Sequence, residues 1–234
     1  MRPSASPRSI DELVARARLL DGARIGDLAA QLGVFLPADR TRAKGRIGEI
    51  VEQALGASSG NLDQPDFPEL GVELKTIPVD RMGRVRESTF VCTLDLRQVE
   101  REEWGTSRVR RKLACVLWVP VQARDGRTLA DRRLGTPRLW RPTRAQEATL
   151  RADWSELVGR IAVGRIDEIT AHLGQALQVR PKARNARHCT LARGAEGEPL
   201  RVVPRGFYLR AAFTEEILWS DRVGIPDSRR PASS

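Results

Sequence analysis

Hydrophobic and polar positions along the chain change period several times, and each change marks an element. Ser9-Ile10-Asp11-Glu12 has the form of a capping box and predicts a helix from Ile10 to about Leu20. A second short helix is predicted over 24–32, stopped by Gly33. Over 44–55 the apolar residues Ile47, Ile50, Val51 and Ala54 recur at i, i+3, i+4 and i+7, a helical face that ends at Gly56. Lys44, Gly48 and Glu52 line the neighbouring stripe, where a small residue between two charged ones leaves room for another backbone or a ligand. Val72-Glu73-Leu74-Lys75-Thr76-Ile77 then alternates as a half-buried strand does. Further strands are predicted over 88–94, over 113–119 and at Leu139-Trp140. The run 113–119 is apolar on both faces, which suits the centre of a covered sheet. Helices are predicted over 144–163, with Leu150, Trp154, Leu157, Val158 and Ile161 on one face, over 166–173, and over 214–219. The segment 97–104 reads as polar and irregular. The Pro/Ser-rich ends, 1–8 and 221–234, are expected to be disordered around a body spanning 9–220.

Composition narrows the class. With 41% hydrophobic and 30% charged residues in 234, the chain has material for one large domain or two small lobes. No apolar run approaches the roughly 18 residues of a membrane span, and the first residues lack the apolar core of a signal peptide. Cys92, Cys115 and Cys189 are odd in number and far apart, which argues against a disulfide framework or a zinc site and fits a reducing cytoplasm. His172 and His188 are isolated and read as ordinary histidines. The net charge of +10 points to a polyanion, nucleic acid being the commonest, although Arg-rich codon usage produces the same excess. A single Tyr and 5% aromatics disfavour a single-strand binder built on stacking and leave room for a duplex binder.

The candidate chemistry lies in Asp66-Phe-Pro-Glu-Leu-Gly-Val-Glu-Leu-Lys75. On a strand, Glu73 and Lys75 project to the same face. Pro68 and Gly71 break the chain just before it, and a turn there brings Asp66 back beside Glu73. Two carboxylates and an ammonium on one face suit Mg²⁺ and a phosphodiester, with a metal-activated water as nucleophile and the lysine orienting it or steadying negative charge. Spacing alone is equally that of a solvated strand face. Lysine usage shifts the balance, because only Lys44, Lys75, Lys112 and Lys182 stand among 40 Lys plus Arg. A lysine kept in so arginine-rich a chain marks a place where a compact ammonium is needed. Lys112 closes the basic run 106–112 and is placed at the entrance of the strand 113–119. A second basic cluster, 178–187, reads as a loop that tracks phosphates and base edges. Glu52 is either a boundary residue of its helix or a third acid for the metal; Phe90 serves the core or meets substrate; Tyr208 is a strand aromatic or a base reader.

These motifs resemble the MutH family of mismatch-repair endonucleases. The likeness runs in order through Lys44-Gly45, Leu55-Gly56-Ala57, the block from Asp66 to Asp80, Glu87 to Cys92, Val109 to Pro120, Arg180-Pro181-Lys182 and Pro204 to Leu209. It thins over 97–104, 188–199 and the tail. The resemblance implies a type II restriction-endonuclease-like α/β fold: a mixed central sheet flanked by helices, in two lobes that form a DNA-binding clamp. It implies Mg²⁺-dependent nicking of the unmethylated strand at hemimethylated GATC in methyl-directed mismatch repair, by a monomer in the bacterial cytoplasm that MutL activates. Mn²⁺ is expected to substitute for Mg²⁺, and Ca²⁺ to bind without supporting cleavage. By resemblance Asp66, Glu73 and Glu52 are metal-site acids, and Lys75 and Lys112 active-site lysines. Lys44, Phe90, Arg180, Pro181, Lys182 and Tyr208 are expected on the side of double-stranded DNA, with Tyr208 linked to sensing adenine methylation. The competing readings are a GATC-specific restriction enzyme that cuts both strands and a catalytically idle DNA-binding protein.

Overall fold

The computed structural model describes residues 5–37, 45–58, 63–122, 128–170, 172–182 and 189–219. Its elements are helices α1 (Ile10–Leu19), α2 (Ile25–Leu32) and α3 (Arg46–Leu55), strands β1 (Glu73–Val79) and β2 (Thr89–Thr93), and helix α4 (Arg108–Leu113). They continue with β3 (Val116–Gln122), β4 (Arg138–Trp140), α5 (Arg144–Ala162), β5 (Leu177–Pro181), β6 (Thr190–Arg193), β7 (Pro199–Val202), β8 (Arg205–Leu209) and α6 (Ala211–Trp219).

The expected mixed sheet is present as β1-β3-β4, with β1 parallel and β4 antiparallel to β3. Strand β3 is buried on both faces, as its unbroken apolar run requires. Its Leu117, Val119 and Val121 join the core under α1, α2 and α3, while Val116 and Trp118 join a second, larger core. That second core lies against α5, α6 and an antiparallel sheet of order β2-β8-β5. A separate hairpin, β6-β7, accounts for part of the segment where the family resemblance thins.

Local signals explain most boundaries. The Ser9 hydroxyl accepts the Glu12 amide to start α1, and Glu12 reaches back to the Arg8 amide. Helices α2 and α3 end at Gly33 and Gly56, both in the left-handed conformation that glycine adopts without a Cβ penalty. Thr143 and Gln146 form a full capping box on α5. Before α1, Pro7 is buried and the Ser6 hydroxyl donates to the Gly56 carbonyl (2.9 Å), so the last residues of the expected disordered lead-in are tied down.

Four expectations are corrected. Residues 108–113 form α4, which places Lys112 on a helix and not at a strand entrance; Ser107 caps it by accepting the Arg110 amide (3.1 Å), and Val109, Lys112 and Leu113 are its buried residues. The helix expected over 166–173 is a single 3-10 turn, Ile166–Glu168. The basic loop expected over 178–187 begins as strand β5, and residues 183–188 lie outside the described residues. Pro181 is compatible with β5 because that strand is an edge. Finally, 97–104 holds a 3-10 turn, Val99–Arg101, with Val99 and Trp104 buried, so its polar composition concealed two core residues.

One side chain anchors the start of the new strand. Asp153 on α5 is only 6% exposed, and its carboxylate accepts the backbone amides of Gln175, Ala176 and Leu177 at 2.6 to 3.0 Å. Gly174 takes φ +80° there, where a Cβ would meet the Leu177 carbonyl. A chain held this way turns into β5. Asp153→Ala is therefore expected to lower unfolding free energy by about 3 kcal/mol, because it strips three amides of their acceptor. Urea denaturation checks this, and a loss under about 1 kcal/mol would show that the turn holds without the carboxylate.

Candidate active site

Strand β1 and the turn before it build the site. Phe67 and Val72 pair through both backbone groups (2.9 and 3.2 Å) around a 3-10 turn, Pro68–Leu70. Gly71 closes that turn at φ +63°, a conformation that favours glycine. The chain thereby doubles back, and Asp66 Oδ2 accepts the Leu74 amide at 2.8 Å. The predicted turn is thus observed, with Asp66 beside the start of β1.

Glu73 is 2% exposed, yet both of its oxygens are occupied. Lys75 Nζ donates to Oε1 at 2.6 Å and Lys112 Nζ to Oε2 at 2.8 Å. Lys112 is itself 5% exposed and also donates to the Gln64 carbonyl. Parallel pairing sets Glu73 opposite Val116 and Lys75 opposite Trp118, in the most buried part of the sheet. One buried and one half-buried ammonium group on a buried carboxylate form a mutually dependent set, since the Glu73 and Lys112 charges alone would be costly to bury.

Glu52 comes to the same place from α3. Burial, followed by the negative charge of Asp66, pushes its carboxyl up to about 7. Burial and then the charge of Glu73 raise Asp66 as well. Gly48 lies where α3 meets β1: a Cβ there would sit 3.6 Å from Glu52 Oε1 and 3.7 Å from the Thr76 hydroxyl, ordinary contact distances, so the neighbour at this position is β1 and the space would admit a methyl group. Three carboxylates thus face two ammonium groups. Among the described residues no three Asp, Glu, His or Cys side chains converge as a ready-made metal cage. That pattern suits a hard cation that takes one or two protein carboxylates and fills its remaining positions with water and substrate phosphate.

The second group of expected residues assembles on the β2-β8-β5 sheet. Phe90 and Tyr208 are paired across β2 and β8, with ring centroids 5.3 Å apart edge to face. Burial raises the Tyr208 hydroxyl above its ordinary range. From β5, Arg180 donates to the Ser88 hydroxyl (2.6 Å). Just beyond the strand, Lys182 donates to the Thr93 hydroxyl (2.7 Å) and lies 4.3 Å from the centre of the Phe90 ring. Arg180, Pro181 and Lys182 are exposed. Lys44 falls outside the described residues. Sequence reasoning missed Gln64, Ser88 and Thr93, which accept from Lys112, Arg180 and Lys182; a backbone carbonyl and two common hydroxyl residues carry no distinguishing signal. Glu52, Asp66, Glu73, Lys75 and Lys112 are brought together, and Phe90, Arg180, Lys182 and Tyr208 form a second cluster.

Fold and site together define a restriction-endonuclease-like α/β protein. Over 212 residues the chain is 50% identical to the DNA mismatch repair protein MutH of Salmonella paratyphi B, and equally to the proteins of that name from Salmonella newport and Salmonella heidelberg; the match spans 91% of this chain and 92% of each relative. The family described as DNA mismatch repair enzyme MutH matches over residues 55–153. The chain belongs to the MutH family. No helix among the described residues is long and apolar enough to cross a membrane.

The raised Glu52 carboxyl has a thermodynamic consequence. Its folded-state pKa of about 7 lies above the ordinary 4.5, so the folded protein holds this proton more tightly than the unfolded chain. The resulting stabilisation is complete below about pH 4.5 and disappears as pH rises through about 7. In metal-free protein, Glu52→Gln is expected to gain thermal stability relative to the wild type between pH 5 and pH 8. Paired melting curves at the two pH values check this; a constant difference would mean that Glu52 titrates normally.

Proposed function

We propose that the protein nicks the unmethylated strand of double-stranded DNA at hemimethylated GATC sites in methyl-directed mismatch repair, as a Mg²⁺-dependent monomer activated by MutL in the bacterial cytoplasm. The observation that carries this reading is the buried Glu73 carboxylate held by Lys75 and Lys112, with Asp66 near enough to raise the Glu52 carboxyl and Glu73 near enough to raise that of Asp66, in a chain of the MutH family. In the same reading, the layer carrying the acids and the β2-β8-β5 layer are the two lobes of a clamp around the duplex.

The residues fit a divalent cation. Burial and mutual repulsion hold Glu52 and Asp66 above the ordinary carboxyl range, so these groups tend to keep their protons until a cation's charge favours their ionised form. Asp66 and Glu73 would hold Mg²⁺ with Glu52 beside them. Mn²⁺ would serve in its place, and Ca²⁺ would occupy the site without supporting cleavage. When bound, the ion supplies charge neutralisation at the phosphate and lowers the pKa of water. Lys75, less buried than Lys112, orients the attacking water and steadies the charge that develops as the sugar oxygen leaves. Lys112, enclosed by Glu73 and Gln64, holds the Glu73 carboxylate in place. Arg180, Pro181 and Lys182 read the duplex alongside Phe90, and Lys44 belongs to the same DNA-facing set. Tyr208, beside Phe90, reports adenine methylation.

A plasmid assay tests the whole reading. GATC DNA in unmethylated, hemimethylated and fully methylated form is incubated with Mg²⁺, with and without MutL. Nicking limited to unmethylated strands and stimulated by MutL is expected. Efficient double-strand cutting without MutL would instead make this a restriction enzyme, and absence of cleavage with intact binding would leave a DNA-binding protein. Glu73→Ala and Lys75→Ala are each expected to reduce nicking by at least about a hundredfold, while DNA binding in Ca²⁺ persists. Undiminished nicking by either variant would remove its residue from the chemistry.

A further inference from the structure

Strand β2 carries an irregularity whose position assigns a role to Thr93. Its pairing with β8 runs Thr89 to Leu209 and Phe90 to Tyr208, then resumes at Cys92 with Phe207 and Thr93 with Gly206. One extra residue, Val91, is absorbed between them. In a regular strand Phe90 and Cys92 would face the same side, and Thr93 the other. The bulge reverses that order. Val91 and Cys92 are both buried, at 2% and 5% exposure, and Thr93 emerges on the open face with Phe90.

The open face is shaped around the Lys182 side chain. Gly206 of β8 is in register with both Thr93 on β2 and Arg180 on β5. A Cβ at Gly206 would lie 2.9 Å from the Phe90 ring and 2.9 Å from the Cys92 carbonyl oxygen. The glycine therefore lets the ring lie down across β8. Lys182 extends over that ring and ends on the Thr93 hydroxyl. A lysine stem has several freely rotating bonds, so an ammonium held at its tip by an acceptor and a ring face loses that freedom before substrate arrives.

We propose that Thr93 is a positioning residue for DNA recognition: its hydroxyl, turned outward by the bulge, fixes the Lys182 ammonium over Phe90 in the pose that contacts the duplex. Ser88 holds Arg180 in the corresponding way at the start of β2. The inference rests on the reading of Arg180 and Lys182 as DNA contacts and adds what orders them. Thr93 is exposed, so replacing it leaves the core intact.

The test measures kcat and KM for nicking of a GATC duplex and of a duplex with one base of the site changed. It compares the full-length wild type with Thr93→Val, Thr93→Ala, Thr93→Ser, Lys182→Ala and the Thr93→Val/Lys182→Ala pair, with melting temperatures alongside. Thr93→Val and Thr93→Ala are expected to raise KM for the GATC duplex roughly tenfold, the scale of a hydrogen bond to a charged group. Discrimination against the altered duplex should fall, kcat and melting temperature should stay close to wild type, and Thr93→Ser should restore KM. In the Lys182→Ala background, Thr93→Val should add little, since its effect runs through that lysine. The proposal is overturned if the Thr93 variants match the wild type while Lys182→Ala is impaired, or if their loss is the same without Lys182. If Lys182→Ala itself nicks and discriminates normally, the fault lies with the reading of Lys182 as a DNA contact, and the role of Thr93 falls with it.

Discussion

The structure turns on a carboxylate buried with two ammonium groups. Glu73 is enclosed at the start of β1, and removing its charge from water is tolerable only because Lys75 and Lys112 meet its two oxygens. Lys112 in turn is buried only because Glu73 and the Gln64 carbonyl receive it. This interdependence ties the entry of β1 to α4, and through Gln64 to the segment that leads into the Asp66 turn. The arrangement is one of charge compensation first, and its incompleteness makes it chemical. With three carboxylates and two lysines gathered there, burial first and then the neighbouring carboxylates raise the Glu52 and Asp66 carboxyls.

Strand β1 also belongs to both cores. Leu74 faces the one beneath α1, α2 and α3, while Ile77 and Val79 face the one shared with α5, α6 and the second sheet. A strand so placed can collect Glu52 from α3 on one side and Lys112 from α4 on the other. Gly71 supplies the turn that this gathering needs. The β2-β8-β5 sheet solves a different problem. Its cations are exposed, so their order comes from Ser88, Thr93 and the Phe90 ring and not from enclosure.

How much of this was legible in the residues depends on the range of the interaction. The alternation over 72–77, the apolar run that became β3, the glycine stops after α2 and α3, and the return of Asp66 beside Glu73 all follow from neighbours within about ten residues. The rarity of lysine pointed to Lys75, Lys112 and Lys182, and the structure gives each a defined partner. Glu52, Phe90 and Tyr208 stood open between a structural and a functional reading, and Arg180 was one member of a basic cluster, until the family resemblance gave each a role.

Tertiary structure alone decided the rest. The start of β5 is set by Asp153, more than twenty residues away, which claims the amides of 175–177 and directs the chain into that strand. Lys112 reads from the sequence as the end of a basic run at a strand entrance; it is buried because α4 turns it toward Glu73, 39 residues distant. Thr93 faces outward only because a bulge displaces the strand's alternation, and a bulge exists only against a partner strand. The chain by itself determined which residue types were available for chemistry and the local shapes that carry them. Which charge meets which, and which side chain turns toward substrate, was settled by pairing and burial between distant segments, where a single unpaired charge or amide costs enough to override local preference.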